Sequence, residues 1–154
     1  MRLRLQPLAL LFFASFVLSS CGSSDKAAVS TKVEPAWSGV PTSGASQSVV
    51  EAFNTYLTKR KGPASPTELA LEFVRSDRMQ AARSSTNAQS SPEGGGPTRV
   101  TVVQEGLADD SVRAIQDVLN FVPSGDKWRL ESAVRKQRCQ PGRGHQDFAA
   151  GDCV

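Results

Sequence analysis

The residues that most constrain the fold lie in the C-terminal half, where the sequence is typical of β-strands. Residues 98–105 (TRVTVVQE) are rich in β-branched side chains, and residues 127–139 (KWRLESAVRKQRC) alternate apolar with charged side chains. Residues 123–126 (PSGD) predict a turn before the second of these strands. The apolar positions that set the strand pattern are Val100, Val102, Trp128, Leu130 and Val134.

Residues 111–122 (SVRAIQDVLNFV) fit two patterns. Their apolar residues would also line one face of a helix. The turn at 123–126 nevertheless favours a long hairpin with the strand that follows, so we predict a strand. The expected fold class is α+β, with one or two N-terminal helices packed on a small curved antiparallel sheet.

Two helices are predicted before the sheet. Ser48-Val-Val-Glu51 has the sequence of a capping box, with apolar residues following at helical spacing and Gly62-Pro63 ending the element. Ser65-Pro66-Thr67-Glu68 is a second capping box with proline at the first helical position. This second helix is expected to extend to about Ala82.

Two polar stretches are predicted to lack regular structure. Residues 84–97 (SSTNAQSSPEGGGP) combine serines, glycines and prolines, which predicts a mobile loop. Residues 21–47 bury too little apolar surface to offset their ordering entropy, so we predict a flexible tether in which Trp37 is the exception. A single globular domain is therefore expected over residues 48–154.

The amino terminus, MRLRLQPLALLFFASFVLSSCGSS, has the layout of a secretory signal peptide over residues 1–20, with two arginines before a short apolar run. The run ends in Leu18-Ser19-Ser20-Cys21, which resembles the lipobox of bacterial lipoproteins. The resemblance implies cleavage before Cys21, a diacylglycerol on its sulfur and an acyl chain such as palmitate on its amino group. Two or three acyl chains hold a protein firmly on a membrane.

This resemblance implies a cell-envelope protein anchored in a membrane through Cys21. Gly22, in place of an aspartate, favours the outer membrane facing the periplasm if the organism is Gram-negative. The alternative is an ordinary secretory signal that happens to carry a cysteine near its end.

The charge of the chain excludes one class of partner. Two of its 18 basic residues, Arg2 and Arg4, belong to the predicted signal peptide, so the formal net charge falls from +3 to +1 when that peptide is removed. A nearly neutral protein gives no argument for binding nucleic acid. Residues 127–143 are locally basic, which we interpret as a solvated face; an acidic or lipid-headgroup partner is the alternative.

The chain ends in RCQPGRGHQDFAAGDCV, which holds its one histidine, His145, between Cys139 and Cys153. Export would place both thiols in an oxidising compartment, with the third cysteine used for lipid, so we predict a disulfide between them. His145 is expected to hydrogen-bond within the closed loop. Asp147 and Arg143 are the candidate members of the same network.

No metal or other cofactor is expected. Zinc would need Cys139, His145 and Cys153 with an acid such as Asp147, and the spacings match no common zinc motif. Asp109-Asp110 could bind a cation, but adjacent acids in a turn are usually solvated or cap backbone NH groups.

Helices followed by an antiparallel meander resemble, over residues 48–139, the cystatin-like cone of nuclear transport factor-like proteins. That family includes isomerases with a carboxylate and a tyrosine in the cavity of the cone. Tyr56 is the only tyrosine here, and its spacing predicts packing on the first helix with its hydroxyl on a surface partner. We therefore expect a non-catalytic module that binds an envelope protein, polymer or small ligand. The alternative is a small enzyme or ligand carrier that uses the cone cavity.

Overall fold

The computed structural model describes residues 43–75 and 80–154. The predicted signal peptide, the lipobox with Cys21 and the tether as far as residue 42, including Trp37, lie outside these residues. Within the described part of the chain, no helix is long and apolar enough to cross a membrane. The elements in chain order are β1 (Gly44–Ala45), α1 (Gln47–Lys59), α2 (Pro66–Arg75), β2 (Ala81–Ser90), β3 (Thr98–Leu107), β4 (Val112–Ser124) and β5 (Lys127–Cys139).

The strands form one antiparallel sheet in the order β1-β5-β4-β3-β2. The predicted α+β class, with two helices followed by an antiparallel sheet, is confirmed. The preference for a strand over residues 111–122 is also correct, because these residues form most of β4 and pair with β3 and β5.

The first helix begins two residues earlier than predicted. Ser46, not Ser48, is its N-cap: its backbone is extended and its hydroxyl accepts a hydrogen bond from the amide of Val49 at 3.4 Å. The reason is the short strand β1, whose pairing with β5 fixes the chain up to Ala45 and leaves the next residue to start the helix. The ordered domain therefore begins before residue 48.

The second helix begins as predicted but ends earlier. The Ser65 hydroxyl accepts from the Glu68 amide at 3.3 Å, and the Glu68 carboxylate accepts from the Ser65 amide at 2.8 Å, which is a complete capping box. The Ser65 hydroxyl also donates to the Glu68 carboxylate at 2.9 Å. The hydrogen bonds that the carboxylate accepts from the Ser65 amide and hydroxyl lower the pKa of Glu68. The helix does not extend to Ala82, because β2 has already begun at Ala81.

The helices cover one face of the sheet and enclose the main apolar core. Phe53 of α1, Phe73 of α2 and Phe121 of β4 are fully buried. The rings of Phe53 and Phe73 meet edge to face with their centroids 5.1 Å apart, which is a favourable aromatic geometry. The other buried members of this core are Val50, Leu57, Leu69, Ala70, Val74, Val100, Val102, Leu119, Leu130 and Ala133.

A β-bulge corrects the predicted pattern of β5. Asn120 pairs with Ser132 but Phe121 pairs with Leu130, so Glu131 is an extra residue in β5. Beyond the bulge the side chains change faces relative to a regular strand. Ala133 therefore faces the core, whereas Val134, which the alternation had placed with Leu130, lies on the opposite face and is half-buried.

The predicted mobile loop at residues 84–97 is wrong over its first half. Residues 81–90 form β2, which pairs with β3 without a register shift, and only residues 91–97 connect the two strands. Nearly every residue of β2 is exposed, so the strand has no alternation of buried and exposed side chains. Its conformation is set by hydrogen bonding to β3 instead of by burial, which local sequence does not reveal.

Candidate functional site: the C-terminal loop and the Trp128 groove

Cys139 and Cys153 form a disulfide, as predicted, with their Cα atoms 5.4 Å apart. Cys139 is the last residue of β5 and is fully buried. Cys153 packs against a small second apolar cluster of Leu107, Val112 and Ile115. The disulfide thus joins the end of the chain to the end of the sheet, and both sulfurs are engaged in it rather than available to a metal.

His145 hydrogen-bonds within the loop, on both sides of its ring. Nδ1 lies 2.9 Å from the backbone oxygen of Asp147, and Nε2 lies 2.9 Å from the backbone oxygen of Gly151. Both partners are acceptors, so only the doubly protonated imidazolium donates to both. The carbonyl of Gly151, followed by that of Asp147, raises the pKa of His145.

The other predicted members of this network take part through their backbones. Asp147 contributes its carbonyl oxygen to His145. The Arg143 amide donates to the Gln140 oxygen at 2.9 Å, and the Arg143 oxygen accepts from the Val154 amide at 2.9 Å. The loop is therefore ordered by main-chain hydrogen bonds around one imidazole, an arrangement typical of a structural closure.

The closed loop covers the outer edge of β5. The Cys139 amide donates to the His145 oxygen at 2.9 Å, and Gln137 and Ala149 exchange two backbone hydrogen bonds of 2.8 and 3.0 Å. Farther along the same edge, the Asn54 side chain donates to the Leu130 oxygen and accepts from its amide, both at 2.8 Å. Asn54 thus takes the place of a neighbouring strand at the bulge.

Asp117 and Arg135 form a buried ion pair on the helix-facing side of the sheet. The guanidinium donates to the two carboxylate oxygens at 2.8 and 2.7 Å, and the residues are 2% and 3% exposed. Buried charges of this kind need such bidentate pairing to offset desolvation. An unbulged hairpin would have set Asp117 opposite residue 134, so the pair exists because the bulge shifts the register by one residue.

A groove lies at the opposite end of the domain, where the end of α1 meets the β4–β5 turn. It encloses about 170 Å³ on one side of the Trp128 indole. A smaller hollow of about 20 Å³ adjoins this groove. Leu57, Lys127 and Trp128 line both cavities, and Asp126 lines only the smaller one. The residues lining the larger groove are Asn54, Leu57, Thr58, Ser124, Lys127, Trp128 and Arg129.

The groove combines three kinds of group. The half-buried Trp128 brings an apolar indole, Lys127 and Arg129 are exposed cations, and Thr58 and Ser124 are exposed residues with hydroxyl side chains. The Thr58 hydroxyl donates to the Thr55 carbonyl and keeps its lone pairs as acceptors. A ring or alkyl group packed on the indole, with an attached anion within reach of Lys127 or Arg129, would match this chemistry.

The segment between the two helices, which lines the smaller hollow, is fixed by Arg60. Its guanidinium donates to the Glu72 carboxylate at 2.7 to 3.0 Å and to the backbone oxygens of residues 61, 62 and 63 at 3.1 to 3.4 Å. The Tyr56 hydroxyl donates to the same carboxylate at 2.9 Å, which confirms the predicted role of that tyrosine. Hydrogen bonds from Arg60 lower the pKa of Glu72, while burial raises the pKa of Tyr56.

The locally basic stretch 127–143 does not form one surface. Lys127 and Arg129 flank the groove, whereas Arg135 is buried against Asp117. Arg138 lies on the other face of the sheet, where it pairs with Glu105 and is stacked 4.8 Å from the ring centroid of Phe148. The interpretation as one solvated face is therefore wrong: the bulge and the loop divide these cations among several environments.

Asp109 caps backbone groups, as the sequence favoured. Its carboxylate accepts hydrogen bonds from the amides of Ser111 and Val112 at 2.8 and 2.6 Å, where the chain turns into β4. The groove and the Asp117–Arg135 pair, in contrast, were not found from the sequence. The composition of the turn, with a tryptophan between two cations, was the only local signal for the groove.

Comparisons with known proteins return no relative. No family model matches the chain, no curated protein matches it, and no solved structure matches it.

Proposed function

We propose that the chain is a lipid-anchored protein of the bacterial cell envelope whose domain is a non-catalytic binding module. The Leu18-Ser19-Ser20-Cys21 motif after the apolar run carries the anchor, since a diacylated cysteine fixes the chain to a membrane. The disulfide supports the same compartment, because such bonds persist in exported proteins. In a Gram-negative organism the expected location is the outer membrane, on its periplasmic face.

The Trp128 groove is the observation that gives this module a ligand class. Its two exposed cations, the indole and the hydroxyls fit a phosphate or carboxylate joined to a compact apolar or sugar group. Envelope polymers and lipid headgroups both supply this chemistry. We propose that the module binds such an anionic envelope component in the groove.

The anchor is tested by moving the cysteine. Cys21→Ser is expected to abolish labelling by radioactive palmitate and to release the chain from membranes, or to leave an uncleaved precursor. The matched control carries Cys21→Ser together with Ser24→Cys, which keeps the thiol count but separates the cysteine from the lipobox, and it should behave like Cys21→Ser. Normal processing and membrane binding of Cys21→Ser would show that the anchor proposal is wrong.

The groove is tested by neutralising its cations. With Trp37→Phe as the background, Trp128 fluorescence is followed against vesicles of phosphatidylglycerol or phosphatidylcholine, glycerol phosphate and inorganic phosphate. Lys127→Gln with Arg129→Gln is expected to weaken anion binding at least tenfold, which corresponds to about 1.4 kcal/mol. Arg113→Gln with Arg143→Gln removes the same charge elsewhere on the surface and should change binding little.

The choice of probe distinguishes the possible sources of the anion. Binding of the phosphatidylglycerol vesicles alone indicates a lipid headgroup, whereas binding of glycerol phosphate in solution indicates a polymer or small ligand. An equal loss in both double variants would mean that only net charge matters, and the groove would not be the site.

The rival function is a small enzyme or ligand carrier that uses a cavity between the helices and the sheet. The buried Asp117–Arg135 pair is the observation that favours it, since it places a carboxylate on the helix-facing side. Three buried phenylalanines belong to the core between the helices and the sheet, and the carboxylate is tied to the guanidinium by two hydrogen bonds, which favours a structural role. Loss of ligand binding in Asp117→Asn with a folded domain, and not in the groove variant, would support the rival.

A further inference from the structure

β2 is an open edge of the sheet. It is ten residues long, stands last in the strand order and pairs on one side with β3. All its residues except Ala81 are exposed. Within the described part of the chain, its outward-facing amides and carbonyls are therefore left to solvent or to a partner.

Few of the common devices that protect an edge are present in β2 itself. The strand is not short, holds no proline, has one charged residue, Arg83, and runs against β3 without a bulge from Ala81 to Ser90. A depression of about 340 Å³ adjoins it, lined by Arg83, Ser84, Ser85, Val103 and Glu105. An edge of this kind is a template for strand addition.

We infer that β2 is a self-association edge, at which the β2 strands of two copies pair antiparallel and join their sheets into one. A two-fold axis normal to the sheet relates the two copies without exchanging the two faces of the sheet. Paired residues must therefore point to the same face, which requires that their sequence numbers differ by an even number. With Thr86 on the axis, Arg83 lies opposite Gln89, Ser84 opposite Ala88 and Ser85 opposite Asn87.

This register supports a second copy of the chain as the partner. It pairs nine of the ten residues, opposes no like charges and sets two threonines together on the axis, which is a favourable cross-strand pair. The side chains of β2 between Ser84 and Ser90 are all small or uncharged, so the two strands can reach the usual spacing of roughly 4.8 Å without steric or electrostatic conflict. Strand addition without a large apolar area is weak, so association in the micromolar to millimolar range is expected.

The register is tested by cross-linking the full exported chain, purified in detergent. Residues opposite each other on the axis have Cα atoms within disulfide range, so Thr86→Cys is expected to form a covalent dimer under mild oxidation. Gln89→Cys, equally exposed but far from its own symmetry mate, should cross-link at least tenfold more slowly. Peptide mapping confirms that the native Cys139–Cys153 disulfide stays intact.

Charge placement tests the interface independently. Ser85→Lys with Asn87→Lys sets lysines opposite one another in both halves of the ladder and should weaken association at least tenfold by sedimentation. Ser85→Lys with Asn87→Glu has the same number of substitutions but opposes unlike charges, and it should associate at least as well as the unmodified chain. Circular dichroism melts are expected to be the same for both variants, because both positions are exposed.

A monomer throughout the concentration range, equal cross-linking of Thr86→Cys and Gln89→Cys, or equal association of the two charge variants would each overturn the inference. Capture of an unrelated extended peptide by β2 of a chain that stays monomeric would show that the edge takes a different occupant.

Discussion

The two edges of the sheet differ in how their backbone groups are satisfied. Along β5, Asn54 covers Leu130, β1 covers Val134 and Arg135, and the C-terminal loop covers Gln137 and Cys139. Along β2, nothing among the described residues takes the corresponding positions. Three separate parts of the described chain therefore cover β5, whereas the described residues leave β2 without such cover.

The disulfide should contribute most to the covered edge. Cys139→Ala with Cys153→Ala opens a loop whose ends are 14 residues apart, and on the chain-entropy model this costs roughly 3 kcal/mol of unfolding free energy. The loss is measured by urea unfolding, with hydrogen exchange at the Gln137 and Cys139 amides reporting the exposed edge. A loss under about 1 kcal/mol would mean that the loop holds its place without the covalent bond.

Asn54 provides the next test. Asn54→Ala leaves the amide and carbonyl of Leu130 without their partner at a partly buried position, which should cost about 1–3 kcal/mol. The matched control on the open edge is Asn87→Ala, where the side chain is exposed and the change should stay within about 0.5 kcal/mol. Equal effects in urea unfolding would contradict the difference between the edges.

His145 makes the covered edge sensitive to pH. Its pKa is raised above 6.5 by two backbone carbonyls, so its stabilising effect is fully present below pH 6.5 and is lost as the pH rises through the folded-state pKa. We expect the difference in unfolding free energy between the unmodified chain and His145→Gln to be largest in acid and to shrink above that range. NMR titration of the imidazole gives the folded pKa, and a value at or below 6.5 would exclude this dependence.

The smallest effect is expected on the open edge itself. Ser85→Lys places a charge on an exposed side chain of β2 and should change the unfolding free energy by less than about 0.5 kcal/mol. Ser132→Lys is the counterpart on β5, where the hydroxyl accepts a 2.7 Å hydrogen bond from Asn120 and the residue is half-buried, so a clear loss is expected. A larger loss from Ser85→Lys than from Ser132→Lys would show that β2 is not the tolerant edge.

The parts of the fold that could be predicted from the sequence are those with a local physical signal. The capping box at Ser65–Glu68, the hairpin turn before Lys127 and the pairing of Cys139 with Cys153 each follow from residue types at fixed spacings. The class of the fold followed from these signals together.

The parts that could not be predicted depend on contacts between distant residues. β2 has no buried face, so its polar sequence is typical of a loop until β3 pairs with it. The bulge at Glu131 changes the register of β5 and so brings Arg135, not Val134, opposite Asp117. No residue type at that position predicts a bulge. The groove needs the end of α1 beside the β4–β5 turn, a proximity set by the packing of Phe53 and Leu57 on the sheet.

The junction of β1 with β5 has a mechanical consequence. The described chain enters the domain at Ser43, whose hydroxyl donates to the Asp152 carboxylate at 2.6 Å, and continues into β1, which pairs with Val134 and Arg135 over two residues. A load applied at Ser43 is therefore expected to act first on this hydrogen bond and on the two-residue ladder. The next load-bearing contact is the Asn54 clamp on Leu130, while the disulfide keeps the far end of β5 in place. We therefore expect the domain to yield to tension in steps, with the contacts of Ser43 and β1 lost before the core is loaded.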